Sequence, residues 1–270
     1  MNLGLDGKRA LVTGSTAGIG YAIAETLARE GADVIVNGRT KERVEQAIKS
    51  ILASHPQAQV HGLAADLGNA EGVRAAVQQL PNVDILVNNL GIFEPKPFEQ
   101  ISDEDWFRFF EINVMSGVRL SRSYLPGMKT RNWGRIVFIS SESAVQIPAE
   151  MIHYGMTKTA QLAISRGLAE TTAGTSVTVN AVLPGPTASE GVNGFVDRLA
   201  ASTHQTKGEF EAEFFRTMCA QVPCYGASHV RTKWQPWWCS SAVHSPRPRT
   251  ALPSEPMAVL CARFSEWPAD

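Results

Sequence analysis

Six short runs of aliphatic and β-branched residues recur along the first 217 positions: ALVT (10–13), DVIVN (33–37), QVHGLAA (59–65), DILVN (84–88), RIVFIS (135–140) and SVTVNAVL (176–183). Most are apolar at consecutive positions, as strands covered on both faces must be. Helical patterns separate them. In IGYAIAETLARE (19–30) the apolar Ile19, Ile23 and Leu27 recur at every fourth residue. KERVEQAIKSIL (41–52), NAEGVRAAVQQL (69–80) and stretches near 103–129 and 151–172 follow the same period. Strand–helix–strand repetition with right-handed crossovers leaves few topologies. The expected fold is α/β, a doubly wound parallel sheet with helices on both faces.

The first strand runs into TGSTAGIG, Thr13 to Gly20, and then a helix. Gly14, Gly18 and Gly20 let backbone N–H groups approach an anionic group at the helix start, with Ser15, Thr16 and Ile19 completing the turn. The alternative is a plain tight turn. The second strand ends in Asn37, Gly38 and Arg39, with no acid to hold a ribose 2′-hydroxyl. Arg39 suits a 2′-phosphate, which favours NADP(H) over NAD(H); otherwise it is a solvated residue before the second helix. Asp66, followed by Leu67, ends the third strand and suits either an adenine amino group or a turn. Asn88, Asn89 and Gly91 close the fourth, where a crevice floor is expected.

HYGMTK places Tyr154 and Lys158 four residues apart, on one face of a helix. Ser141 lies upstream at the end of the fifth strand, and Asn113 lies in FEINVMSG. Such a set can move a proton. A free phenol titrates at about 10. An ammonium at about 4 Å in an effective dielectric of about 20 contributes about 4 kcal/mol, enough to lower that value by up to about three units. The expectation is a tyrosine acidified by its lysine, exchanging a proton with a carbonyl or alcohol oxygen during hydride transfer. His153 sits about 100° away around the helix, and a packing role is expected for it.

Taken together, TGSTAGIG, NNLG, Asn113, Ser141 with Tyr154 and Lys158, and VLPGPT (182–187) resemble a short-chain dehydrogenase/reductase over residues 5–217. The resemblance implies a Rossmann-like fold and an oxidoreductase acting between NADP(H) and a carbonyl or secondary alcohol. It implies that Tyr154 is the general acid/base, that Lys158 lowers its pKa and holds the nicotinamide ribose, and that Ser141 polarises the substrate oxygen. Asn113 anchors a water that relays protons to Lys158. Pro184, Gly185 and Thr187 flank the nicotinamide, while Asp66 and Asn89 line the adenosine half. Leu90 departs from the family's usual alanine. The 3-oxoacyl-thioester reductases are one branch that fits, and family members are usually homo-oligomers.

Composition bounds the rest. A net charge of −1 argues against a nucleic-acid partner. No apolar run reaches the roughly 18–20 residues that span a bilayer, and no signal core opens the chain, so a cytoplasmic protein is expected. A break follows Met218: all four cysteines (Cys219, Cys224, Cys239, Cys261) lie beyond it, with most of the tryptophans and only Gly226 among the 22 glycines. The expected division is a dinucleotide-binding and catalytic domain over 1–217 and an irregular tail over 218–270. The last helix and strand of the resembled family are missing or replaced there. The tail reads as a frameshift product. Read one nucleotide early, its codons accommodate a helix, a strand and an Asp-Gly-Gly terminus, with Trp237-Trp238 forcing valine and Met257-Ala258 forcing glycine. An inactive relic with impaired folding is the alternative to a working enzyme. The cysteine spacings, with His229 and His244, match no zinc pattern, so no metal is expected.

Overall fold

A computed structural model of the chain describes residues 3–185 and Thr187. The tail, its boundary at 217 and its expected replacement of the last helix and strand lie outside the described residues. Among the described residues six strands form one sheet: β1 (Arg9–Val12), β2 (Asp33–Gly38), β3 (Gln59–Ala64), β4 (Ile85–Asn88), β5 (Gly134–Ile139) and β6 (Val177–Val182). Their order is β3-β2-β1-β4-β5-β6, and every pairing is parallel. The order reverses between β1 and β4, as a doubly wound sheet requires.

Strand alternation builds two cores. Ala10, Val12, Val34, Val36, Ile85, Val87, Val137 and Ile139 face one side and meet α1 (Gly18–Arg29) and α2 (Lys41–Ser54) through Ile23, Leu27, Val44 and Ile51. Leu11, Ile35, Leu86, Ile136, Phe138 and Val179 face the other side. There they meet α3 (Ala70–Gln79) and α5 (Ser116–Thr130) through Val73, Leu120, Tyr124 and Met128. Consecutive residues of one central strand therefore serve opposite layers, which is why the middles of β1, β2, β4 and β5 are continuously apolar, while the edge strands β3 and β6 keep polar residues such as His61 and Asn180.

The helical stretch expected near 103–129 is divided. α4 (Asp103–Phe110) leads through a π turn (Glu111–Met115) into α5, and Asn113 lies in that turn. α6 (Ile152–Glu170) carries Tyr154 and Lys158. Among the described residues no helix is long and apolar enough to cross a membrane, and no cluster of side chains could hold a metal.

Candidate active site

The carboxyl ends of the strands gather the sequence motifs on one edge. Thr13 ties β1 to β4: its hydroxyl donates to Val87 O at 3.2 Å and accepts from the N–H groups of Asn89 and Leu90, each at 2.9 Å. Asn89 returns its Nδ2 to Thr13 O at 2.9 Å and Gly14 O at 3.0 Å. Gly14 and Gly18 both sit at φ of 59°, a left-handed conformation that glycine adopts without strain. A Cβ on Gly20 would lie 2.5 Å from both Gly14 O and Asn89 Nδ2, so helix and turn close together only over a glycine.

The start of α1 lacks the side-chain cap that α2, α3 and α4 carry. Thr40, Asn69 and Ser102 cap α2, α3 and α4 with side-chain hydrogen bonds. Ala17 caps α1 with none. Its first N–H groups and the positive end of its dipole therefore face the edge without a side-chain acceptor, which suits a pyrophosphate. Beside it, Gly38 leaves room that Thr16 fills: a Cβ there would meet Thr16 Cγ2 at 2.5 Å. Arg39 follows, exposed and with no ion pair to it among the described residues. Asp66 forms a turn, accepting from Gly68 N at 3.0 Å, and the Leu67 side chain is buried in the second core, leaving its main chain for contact. Ser15 is fully buried: its hydroxyl donates to Val12 O at 2.7 Å and accepts from Asn37 N at 2.9 Å. Ile19 packs against the first core, and Leu90 against Gly14 and the second.

The chemical end assembles around Gly91. A Cβ there would sit 3.4 Å from Asn113 Oδ1 and 3.5 Å from Lys158 Nζ, so the three meet at one point. The Asn113 amide grips the main chain of Ile92, accepting from its N–H at 2.7 Å and donating to its carbonyl at 3.0 Å. Its Nδ2 also donates to Thr157 Oγ1 at 3.0 Å. Lys158 is buried, with Nζ donating to Ile139 O at 2.8 Å and lying 5.6 Å from the centre of the Tyr154 ring. Ser141 lies beside the Tyr154 phenol, close enough to act on it, and the ring meets Phe93 edge-on at 6.4 Å. Pro184 O accepts from Glu142 N at 3.1 Å, drawing the segment after β6 against the residue that follows Ser141. Thr187 Oγ1 donates to Gly185 O at 2.9 Å.

The expected acidification of Tyr154 is corrected. Burial pushes its phenol up to about 12, and the lowering by Ser141 beside it does not offset this. Lys158 is itself desolvated and falls to about 8. Its ammonium lies over the ring and bonds a backbone carbonyl, and desolvation by burial sets the direction of both shifts. The phenol therefore keeps its proton at neutral pH. His153 is buried against Phe109 at 4.0 Å and Trp106 at 6.0 Å, on another face of α6 from Tyr154.

Two residues escaped sequence reasoning. Gln161, one turn beyond Lys158, donates from Nε2 to the Asn113 backbone carbonyl at 2.6 Å, holding the π turn. Gln161→Leu leaves that carbonyl without its side-chain donor and is expected to cost about 1–3 kcal/mol, read as a lower urea midpoint at unchanged slope. Glu142, buried beside Ser141, is the other. Neither fits an apolar helix period or a cofactor motif; only a polar residue at an otherwise buried position signals either.

Comparison with known proteins bears on this arrangement. A sequence model described as short chain dehydrogenase matches residues 8–200. The chain is 53% identical over 216 residues to the oxidoreductase YvaG of Bacillus subtilis, covering 80% of this chain and 82% of that protein. It is 37% identical over 189 residues to the 3-oxoacyl-(acyl-carrier-protein) reductase FabG of Aquifex aeolicus, covering 68% of this chain and 76% of that one. Among solved structures, L-sorbose reductase from Gluconobacter frateurii, complexed with NADPH and L-sorbose, superposes with a TM-score of 0.74 at 32% identity, over 82% of this chain and 84% of that one.

Proposed function

The chain belongs to the short chain dehydrogenase family of oxidoreductases, and on that premise we propose that it is an NADP(H)-dependent enzyme interconverting a carbonyl and a secondary alcohol, with Tyr154 as its acid/base. One observation carries the reading. Lys158 and Asn113 meet beside Gly91, and Lys158 lies over the ring of Tyr154, whose phenol has Ser141 beside it, on the same sheet edge as the uncapped start of α1. The residues fit a dinucleotide. The Gly14–Gly20 turn would hold the pyrophosphate, Thr16 and Arg39 the 2′-phosphate, and Asp66, Leu67 and Asn89 the adenosine. Gly91, Tyr154, Lys158, Pro184, Gly185 and Thr187 would hold the nicotinamide half.

When bound, the reduced nicotinamide supplies a hydride to the carbonyl carbon. Ser141 donates a hydrogen bond to the carbonyl oxygen and holds it at the phenol. Tyr154 passes its proton to that oxygen as the alcohol forms. Lys158 stabilises the phenolate left behind, and Asn113 keeps the Gly91–Ile92 main chain against Lys158. NADPH fluorescence on binding, followed by turnover of a panel of carbonyl compounds with NADPH, tests the reading. Failure to bind NADPH overturns it.

Cofactor preference has its own test. Arg39→Ala is expected to raise the KM for NADPH about tenfold or more, the loss of one charge-assisted hydrogen bond, and to leave NADH nearly unaffected. Equal effects on both cofactors would remove Arg39 from 2′-phosphate recognition.

The composition break after Met218 supports a second reading, that residues 218–270 are a frameshifted end and the chain an inactive relic. The neighbouring frame of the coding DNA decides the first part. A purified chain that melts cooperatively, and at a higher temperature with NADPH, overturns the second.

A further inference from the structure

Glu142 follows Ser141 directly and opens the short 3-10 turn Glu142–Ala144. It is only 8% exposed. Backbone bonds fix its position: its N–H donates to Pro184 O at 3.1 Å, and its carbonyl accepts from Val145 N at 2.9 Å and Gln146 N at 3.0 Å. Its Oε2 is buried and has no hydrogen-bond partner among the described residues. Buried acceptors are rarely left so.

Its surroundings narrow what it could serve. From α6, the titratable group that feels the Glu142 charge is the Tyr154 phenol, and Lys158 lies over the ring of that tyrosine. Pro184 offers only its backbone. No cation or second carboxylate among the described residues acts on the Glu142 proton. A structural ion pair is therefore not its role within the described fold. The neighbouring loops present apolar surface: Phe93 against the Tyr154 ring, Ile147 against Gly155, and Val145 after the turn, all exposed. Glu142 Oε2 is thus an unpartnered oxygen acceptor directly beside Ser141, close enough to the Tyr154 phenol for its charge to act on it.

We propose that Glu142 is a specificity-determining residue whose Oε2 receives a hydroxyl hydrogen of the substrate. The site then selects neutral ketones hydroxylated next to the reacting carbon, the ketose class, over plain alkyl ketones. This rests on the reading of the site as a carbonyl reductase. A site built to bond a hydroxyl discriminates against the analogue that lacks it, because its own polar atom is then stranded.

Matched substrates test it: hydroxyacetone and dihydroxyacetone against acetone, with wild type, Glu142→Gln and Glu142→Leu. NADPH binding and melting temperature serve as controls on folding. The ratio of kcat/KM for the hydroxylated over the plain ketone is expected to fall about tenfold or more in Glu142→Leu and by less in Glu142→Gln. A ratio within twofold of wild type overturns the proposal. A second readout needs neither turnover nor a stable leucine variant. In the infrared spectrum of wild type with NADPH, the carboxyl band lost in Glu142→Gln is expected to shift on adding hydroxyacetone and not acetone. No shift, or the same shift with both, overturns it. If wild type turns over no ketone, the carbonyl-reductase reading fails, and the infrared band still decides what Glu142 binds.

Discussion

Tyr154→Phe is expected to lower kcat for carbonyl reduction by about three orders of magnitude, within the range for removing a positioned general acid, with NADPH still bound and the melting temperature unchanged. The ring stays against Phe93 and only the hydroxyl is lost. Because burial holds the phenol up to about 12, it keeps its proton through the physiological range and is ready to donate. The pH profile should therefore be limited by the lysine. Lys158 titrates at about 8, so its ammonium, and with it the stabilisation of the phenolate formed in the step, is present below that value and lost above it. Reduction by wild type is expected to hold level below about pH 8 and to decline above. Turnover by Tyr154→Phe within tenfold of wild type would remove Tyr154 as the acid. A decline set near 10, where a free tyrosine titrates, would return the limiting role to the phenol.

How far the sequence discloses this site depends on what each residue answers to. All six strands are legible: the central ones are buried on both faces and so apolar at consecutive residues, as Leu86 and Val87 are on opposite cores, while the edge strands β3 and β6 show through their β-branched residues. The glycine turn is legible for a similar reason: Gly20 is required by a local clash with Gly14 O and Asn89 Nδ2. What needs three-dimensional context is less so. The π turn at Asn113 has no period of its own and is held by Gln161 from another helix. The direction of the Tyr154 shift also escaped the sequence. Spacing places the lysine one turn away, but only the fold shows that its ammonium bonds Ile139 O and that both groups are desolvated. Ser15 lies in the middle of the phosphate motif, yet its hydroxyl joins β1 to β2; a motif position does not say which way a side chain points.

Glu142→Gln should make the protein more stable at pH 8 and not at pH 4.5, a swing of about 3 kcal/mol from one isosteric change. Burial raises the Glu142 carboxyl from 4.5 to about 7. Between those values the folded protein keeps a proton that the unfolded chain releases, so stability falls as pH rises through this window. Above about 7 the folded state holds a buried carboxylate and bears the whole cost; below 4.5 both states are protonated and the cost is absent. Glutamine has no proton to lose, so its stability relative to wild type should climb across the same window. Lys158 runs the opposite way. Its value is depressed from 10.5 to about 8, so its cost is present below 8 and is relieved as pH rises towards 10.5, outside the Glu142 window. Urea denaturation of both proteins at pH 4.5 and pH 8 separates the two groups. A difference that does not change with pH would mean that the carboxyl is solvated or paired in solution, and the argument for its ligand would go with it. If the difference appears, the wild-type chain carries a cost next to Ser141 that packing alone gives no reason to keep, and a substrate hydroxyl at Oε2 supplies one.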